Sequence, residues 1–176
     1  MACGIRGLAA LVALAVSLPG VRSAMAQAGP PRLACAVRVP PVVVSGARVP
    51  LTMTVRNRGA AALAMLTWGT PFEDGWFEPF VRVTRAGAPL AFGGAMVKRG
   101  DPEADEYLSI APGQRRQASV DLALVFDLSV PGRYVVTPQV TIHDAVTLPA
   151  SLPRARAAHA ALPLACAPVT FEVRTR

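Results

Sequence analysis

Short runs of alternating apolar and polar residues constrain the fold of this chain more than any other feature. In VPLTMTVRN (residues 49–57), Leu51, Met53 and Val55 alternate with threonine and arginine, which is the period of a strand with one buried face. Similar runs recur between turn residues, and helical periodicity is nearly absent. The pattern predicts an all-β fold, an immunoglobulin-like antiparallel β-sandwich of seven to nine strands.

The first residues have the form of an export signal. Arg6 precedes the apolar run GLAALVALAVSLPG, and Ala24-Met25-Ala26 has the small-x-small form of a signal-peptidase site. We therefore expect residues 1–26 to be a signal peptide and residues 27–176 to form one exported domain, secreted or periplasmic. The apolar run is shorter than the roughly 20 residues that span a bilayer, so we expect no membrane anchor.

Export determines the interpretation of the cysteines. Removal of residues 1–26 takes Cys3 away and leaves Cys35 and Cys166, an even number in an oxidising compartment. The sequence therefore predicts a disulfide between them. The alternative, a metal-binding or catalytic thiol pair, would need further cysteine or histidine ligands at suitable spacing, and the sequence offers none.

Residues 143–166, HDAVTLPASLPRARAAHAALPLAC, depart from the alternating pattern. The segment is rich in alanine and proline, which indicates a long loop or insertion. Pro153 and Pro163 limit any helix between them to about one turn.

The basic charge does not indicate nucleic-acid binding. The net charge is +7, and it falls to +5 when Arg6 and Arg22 leave with the signal peptide. The remaining arginines are scattered along the sequence rather than grouped with aromatic residues on one element; they include Arg38, Arg48, Arg56, Arg58, Arg82, Arg85, Arg115 and Arg116. We expect a solvated surface and no nucleic-acid partner.

Catalytic motifs are absent from the sequence. It has two histidines, His143 and His159, and no HExxH, GxSxG, P-loop or dinucleotide-binding pattern. We expect no enzyme activity, no catalytic residue, no cofactor and no metal; an enzyme with an unrecognised site is the less favoured alternative. The acidic run DPEADEY (101–107) offers oxygen ligands for calcium but lacks the EF-hand spacing, which favours a solvated loop. The three methionines after residue 26 are expected in the core rather than at a copper site: Met53, Met65 and Met96.

The stretch LTWGTPFEDGWFEPFVRV (66–83) holds five of the eight Trp and Phe residues of the chain. We expect Trp68 to end a strand and fill the core, with Gly69-Thr70-Pro71 turning the chain. The remaining aromatic residues pack beneath the loop or form an exposed patch that anchors a partner. In the second case Trp76 or Phe77 is the anchor, at a tip that Gly75 and the neighbouring acids hold in solvent.

The order of three sequence blocks resembles a known family. WGTPFED, FVRVTRAGAPLAFGGAMVKRGDPEADEYLSIAPGQ and VDLALVFDLSVPGRYVV are similar to the amino-terminal, non-catalytic domain of secreted deuterolysin-type metalloendopeptidases, over roughly residues 51–136 and the final VTFEV. The residues that match are Trp68, Gly69, Thr70, Pro71, Gly94, Lys98, Arg99, Pro102, Tyr107, Pro112, Gly113, Asp127, Leu128, Pro131, Gly132 and Tyr134. The zinc-binding histidines and catalytic glutamate of that family's peptidase domain have no match in this sequence, so we expect that this chain is not itself the protease. LTMTVRNRGAAALAMLTW with AGAPLAF is also similar to small immunoglobulin-like proteinase inhibitors of bacteria.

The resemblance implies a propeptide-like domain that helps a peptidase fold and keeps it latent. We therefore expect a monomeric, exported protein-binding domain whose partner is a metallopeptidase, contacted through Phe72, Glu73, Trp76, Phe77, Lys98 and Arg99. Lys98 and Arg99 also face the acids of 101–106, with which they could form a local ion-pair network of small energy. The alternative function is an envelope or extracellular accessory module without a protease target, because such sandwiches carry many unrelated functions.

Overall fold

The computed structural model describes Met1 and residues 29–176, so the predicted signal peptide lies, apart from Met1, outside the described residues. The described chain contains thirteen strands and three single 3-10 turns, which confirms the all-β prediction. The strands are β1 (Leu33–Arg38), β2 (Val42–Val44), β3 (Pro50–Asn57), β4 (Leu63–Leu66), β5 (Val81–Arg85), β6 (Ala88–Pro89), β7 (Tyr107–Ile110), β8 (Arg115–Asp121), β9 (Gly132–Pro138), β10 (Val140–Ile142), β11 (Ala145–Thr147), β12 (Leu162–Leu164) and β13 (Val169–Arg174). Within this range no helix has the length and apolar character needed to cross a membrane.

Two sheets form the layers of the sandwich. One has the order β1-β3-β8 and the other β2-β13-β9-β5-β6; their pairs are antiparallel except for β13 with β2. Leu51, Met53 and Val55 of β3 share one buried cluster with residues of β5, β9 and β13, so the two sheets pack face to face. These three β3 residues are fully buried, as their alternation predicts.

Asn57 links this layer to a third sheet, of order β11-β4-β7. Its side chain is fully buried at the end of β3, where its Nδ2 donates to the carbonyls of Ala61 (2.8 Å) and Ile110 (2.9 Å). Its Oδ1 accepts from the amide of Gly59 at 2.8 Å. The asparagine thus satisfies the backbone groups of the turn between β3 and β4, which an apolar residue could not do.

Tyr134 on β9 forms the corner that immunoglobulin-like sandwiches use. The ring is fully buried and stacks on Phe171 with 5.2 Å between ring centroids. Its hydroxyl donates to the carbonyl of Val130 at 2.6 Å, four residues upstream, and so holds the loop that leads into β9.

The predicted disulfide is present. Cys35 of β1 is bonded to Cys166, which lies between β12 and β13, with 5.0 Å between the Cα atoms. The two residues are 131 apart in sequence. In the chain-entropy model a loop of this size stabilises the fold by about 5 kcal/mol.

The segment 143–166 is attached to the sheets rather than extending from them. It contains β11, β12 and a 3-10 turn at Arg156–Ala158. Asp144 is fully buried and accepts three hydrogen bonds, from Tyr107 Oη (2.9 Å), Arg154 Nη1 (3.0 Å) and the amide of Ala160 (2.8 Å). This carboxylate therefore holds residues 154–160 against β7 and the Trp68 end of the third sheet.

Candidate functional site

The candidate site is a cleft of about 390 Å³ at the end of β4. Three segments meet there: the aromatic loop after β4, the loop between β6 and β7, and the 143–166 segment. We call it the Trp68 cleft, and its lining residues are Trp68, Glu78, Val97, Arg99, His143, Arg156 and His159. The aromatic loop and the loop between β6 and β7 also carry residues of the family resemblance.

Trp68 is one wall of this cleft. It is 5% exposed, and its Nε1 donates to Oε1 of Glu106 at 2.6 Å. Its ring meets His159 edge to face, with 6.4 Å between ring centroids. Trp68 is buried as predicted, but it does not end a strand, since β4 ends at Leu66 and Trp68 lies in the turn that follows. Its polar edge is satisfied by a carboxylate that the sequence placed in a solvated loop.

Arg99 joins two of the loops. Its guanidinium lies 4.9 Å from the ring centroid of Trp68 and 5.8 Å from that of Phe77. Nη2 of Arg99 lies 2.5 Å from Oε1 of Glu73, whose Oε2 accepts from the amide of Gly69 at 3.0 Å. Because the side chains of this ion pair are only 17% and 8% exposed, water screens it little.

Three of the six proposed partner-binding residues are therefore in one cluster: Glu73, Phe77 and Arg99. The expected network of Arg99 with the acids of 101–106 is wrong, since the guanidinium pairs with Glu73, 26 residues upstream. Lys98 is exposed and forms no ion pair with another residue of the described range.

Gly69 allows the chain to turn where the carboxylates converge. Its φ of +62° is one that residues with a side chain rarely adopt. A Cβ at this position would also lie 3.1 Å from the carboxylate carbon of Glu78. Glu78 in turn lies within 3.3 Å of Nε2 of His143 at the half-exposed rim of the cleft.

The acidic run 101–107 has structural roles. Oδ1 of Asp101 accepts from the amide of Arg156 at 3.0 Å, and Nη1 of Arg156 donates to the carbonyl of Arg99 at 2.9 Å. Glu103 and Glu106 form a capping box on the 3-10 turn between them. Among residues 29–176, no group of three or more His, Cys, Asp or Glu is arranged to hold a metal ion.

Trp76 does not project into solvent, so the expected exposed tip is wrong for this residue. It is half-buried and stacks on Phe80 at 4.8 Å, with Phe92 and Phe126 each 6.0 Å away by ring centroids. Its Nε1 donates to the carbonyl of Glu78 at 2.9 Å. The aromatic loop is thus folded over its own mini-core, as one of the two sequence interpretations stated.

Phe72 and Phe77 occupy different positions in the same loop. Phe72 is half-buried and packs against the main core. Phe77 is also half-buried, but its ring covers Gly75, where a Cβ would lie 2.4 Å from the ring. A side chain at position 75 would therefore displace Phe77, which makes this glycine a requirement of the loop.

The sequence pattern did not identify Met96 and Val97 as exposed residues. Met53 and Met65 are fully buried as predicted, whereas Met96 is 87% exposed and the prediction that it lies in the core is wrong. Val97, beside the cleft, is 45% exposed. The glycines around them, Gly93, Gly94 and Gly100, were the signal in the sequence that this segment is a loop without a buried face.

Burial also changes the acidity of Tyr107, beneath the cleft. Burial and the hydrogen bond to Asp144 raise the pKa of its phenol to about 12. The hydroxyl therefore remains a donor to Asp144 throughout the physiological range.

Comparison with known proteins gives one sequence relative. No protein-family model matches the chain. A curated protein named extracellular protease, from Aeromonas hydrophila, is 30% identical over 89 residues, which are 51% of this chain and 25% of that protein. The chain thus matches about a quarter of the length of that relative.

Comparison with solved structures gives matches at low TM-scores. The CARDB domain of the PF1109 protein from Pyrococcus furiosus, solved in complex with di-metal ions, gives a TM-score of 0.35 at 13% identity, covering 82% of this chain and 94% of that one. A β-glucosidase from Listeria innocua gives a TM-score of 0.35 at 12% identity, covering 81% of this chain and 16% of that one. At these scores neither carries a functional argument.

Proposed function

We propose that this chain is a secreted, non-catalytic protein-binding domain that acts as a propeptide-like inhibitor or folding assistant of an exported metallopeptidase. The observation that carries the proposal is the match to a protein named extracellular protease, which extends over only a quarter of that protein. A disulfide between Cys35 and Cys166 supports export, because such bonds persist in oxidising compartments.

The rim of the Trp68 cleft is the surface we assign to the partner. Met96 and Val97 expose apolar side chains next to Lys98, and apolar residues in such a patch are the usual anchors of a protein interface. Methionine also adapts its shape to a partner more readily than branched residues do.

The base of this surface is held by the pairing of Arg99 with Glu73 and by the bond from Trp68 to Glu106. A rim supported in this way loses less conformational entropy on binding than a free loop would.

We assign the cleft to binding rather than to catalysis. The seven residues that line it include no serine, threonine, cysteine or lysine, and its one carboxylate, Glu78, is paired with His143. His143 faces Glu78, and Nε2 of His159 lies 3.1 Å from the carbonyl of Arg154. The imidazole rings of His143 and His159 thus each contact a neighbouring polar group.

The experiment is to mix the purified protein with a secreted deuterolysin-type metallopeptidase of the same organism and to measure inhibition and the yield of refolded peptidase. We expect Met96→Ser and Val97→Ser each to weaken the effect, by up to about thirtyfold for a true anchor. Val44→Ser is the matched control, because Val44 is 41% exposed on β2, an edge strand of the sandwich outside the cleft.

Two results would contradict the proposal in different ways. If the unmodified protein neither inhibits the peptidase nor raises its refolding yield, the propeptide-like function is wrong. If it does so and the Met96 and Val97 variants behave like Val44→Ser, the function stands and the assigned surface is wrong.

A further inference from the structure

We propose that the open edge of β8 is a docking site for an extended, acidic segment of a partner protein. The inference rests on the proposed function only in taking a polypeptide as the partner, and it does not require that partner to be a peptidase.

β8 is the last strand of the sheet β1-β3-β8 and pairs with β3 alone among the strands of residues 29–176. At one end of this ladder the amide of Asn57 donates to the carbonyl of Gln114 (3.0 Å). At the other end the amide of Leu122 donates to the carbonyl of Val49 (2.9 Å). Hydrogen-bonded pairs alternate along antiparallel strands, so every second residue from 114 to 122 bonds to β3. The backbone groups of the residues between, Arg115, Gln117 and Ser119, therefore point to the open edge.

The sheet carries arginines that are distant in the sequence. Arg38, Arg56, Arg115 and Arg116 lie on its three strands and are all exposed. Arg56 and Arg115 are direct neighbours, whereas Arg38 lies beside Thr52 on the opposite edge strand and Arg116 is on the same face of β8 as Ala118 and Val120. The only carboxylate on these strands is Asp121, which is buried and accepts from the amides of Val49 and Ala123. These arginines are exposed, in keeping with the expected solvated surface, and strand pairing determines which of them are neighbours.

Two of these arginines oppose each other directly. Arg56 and Arg115 are cross-strand partners, and their position in the ladder is of the type without mutual backbone bonds, where side chains come closest. Another pair of the same type further along the ladder, Thr52 and Ser119, has its hydroxyl oxygens 2.7 Å apart. Like charges at such a position are destabilising.

No carboxylate of the described chain relieves this repulsion. Nε of Arg56 donates to the carbonyl of Gly113 (3.0 Å), and Nη1 of Arg116 donates to that of Arg115 (3.2 Å). The ion pairs found in residues 29–176 use Arg48, Arg99, His143, Arg154 and Arg174 as the cations. Carboxylates supplied by a bound segment would therefore meet an uncompensated positive charge.

The charges also select the occupant. An edge-to-edge pair of two copies would bring the arginines of both chains together, and charged side chains at an open edge oppose such self-association. An acidic strand is attracted instead, and its backbone can bond to the outward groups of Arg115, Gln117 and Ser119. Half-buried Ala118 and Val120, on the inner side of β8, offer small apolar contacts to alternate residues of that strand.

The test uses the acetylated peptide Val-Glu-Val-Glu-Val-Glu and its Val-Lys analogue as probes of the purified protein. We expect the glutamate peptide to slow hydrogen exchange at the amides of Arg115, Gln117 and Ser119, with smaller changes at Arg116 and Ala118. Binding should weaken as salt is added, and the lysine peptide should have no effect.

The variant Gln117→Pro removes one outward amide, and proline is tolerated where the amide of an edge strand faces solvent. It should reduce affinity for the glutamate peptide at least tenfold, whereas Gln117→Thr, which keeps the amide, should not. The double variant Arg115→Ser, Arg116→Ser should lose a similar amount of affinity for the glutamate peptide while its circular dichroism spectrum stays unchanged. If Gln117→Pro does not fold, the double variant tests the proposal in its place.

The proposal is overturned if the glutamate peptide protects none of the three outward amides. It is also overturned if heparin or phosphatidylglycerol vesicles bind the same arginines with equal affinity and the peptide adds no amide protection, since the surface would then be a general polyanion site. No peptidase is used in this test, so its failure leaves the peptidase proposal untouched.

Discussion

The buried carboxylate of Asp144 is expected to hold one wall of the Trp68 cleft in place, and Asp144→Ala tests this. The change removes the acceptor of three hydrogen bonds, from Tyr107, Arg154 and Ala160. Removal of one member of a buried ion pair typically costs about 3–5 kcal/mol. The side chain of Arg154 is 24% exposed and can turn to water, so we expect a loss near the lower end, about 3 kcal/mol.

Two further variants separate charge from hydrogen bonding. Asp144→Asn keeps an acceptor for the amide of Ala160 and loses the charge, which should cost about 1–2 kcal/mol. Arg154→Ala leaves the fully buried carboxylate without its counterion, so its loss should be at least as large as that of Asp144→Ala. Because the two residues contact each other, the double variant should lose less than the sum of the single variants.

The measurement is urea unfolding at neutral pH, together with hydrogen exchange at the amide of Ala160. Each variant should lower the midpoint with an unchanged m-value. Asp105→Ala is the control, because Asp105 is exposed and its carboxylate makes no side-chain hydrogen bond or ion pair within residues 29–176. A loss below about 1 kcal/mol for Asp144→Ala, similar to that of an ordinary surface change, would refute the reasoning.

Two other predictions concern neighbouring aromatic residues. Because the pKa of Tyr107 is raised from 10.0 to about 12 in the folded protein, its contribution to stability is complete below pH 10 and is lost as the pH rises through about 12. Melting temperatures across this range should fall more steeply for the unmodified protein than for Tyr107→Phe, and equal slopes would contradict the assignment. Trp76→Ala should lower the free energy of unfolding by about 3 kcal/mol or more, because the indole ring fills the aromatic mini-core. If the variant is as stable as the unmodified protein but no longer binds the partner, Trp76 is an exposed anchor and this prediction is wrong.

The local pattern of the sequence was sufficient for the class of fold and for single strands. The alternation around Met53 predicts a buried face because neighbouring residues alone determine the period of a strand. Trp68 is buried as predicted, although alternation is not the reason: every residue of β4 before it is buried, and Trp68 itself lies in the following turn. The pairing of Cys35 with Cys166 was predictable because they are the two cysteines that remain when the expected signal peptide is removed.

The parts that could not be predicted depend on which strands become neighbours. Trp76 stacks on Phe80 of its own loop but also contacts Phe126, 50 residues downstream, so the local sequence left its burial as one of two interpretations. Arg56 and Arg115 become a pair only through the register of β3 with β8. The Trp68 cleft likewise needs three segments that are distant in the chain, and no motif shorter than the domain describes it.

The disulfide has a consequence for the fate of this protein among proteases. The covalent ring from Cys35 to Cys166 encloses every strand from β2 to β12. A single cut in any loop between these cysteines opens the ring but leaves both fragments tied to each other. The nicked protein would migrate as one species on a gel without reductant and as two with it, and its strands would remain able to pair. The described domain can therefore survive a single cleavage between these cysteines as one molecule.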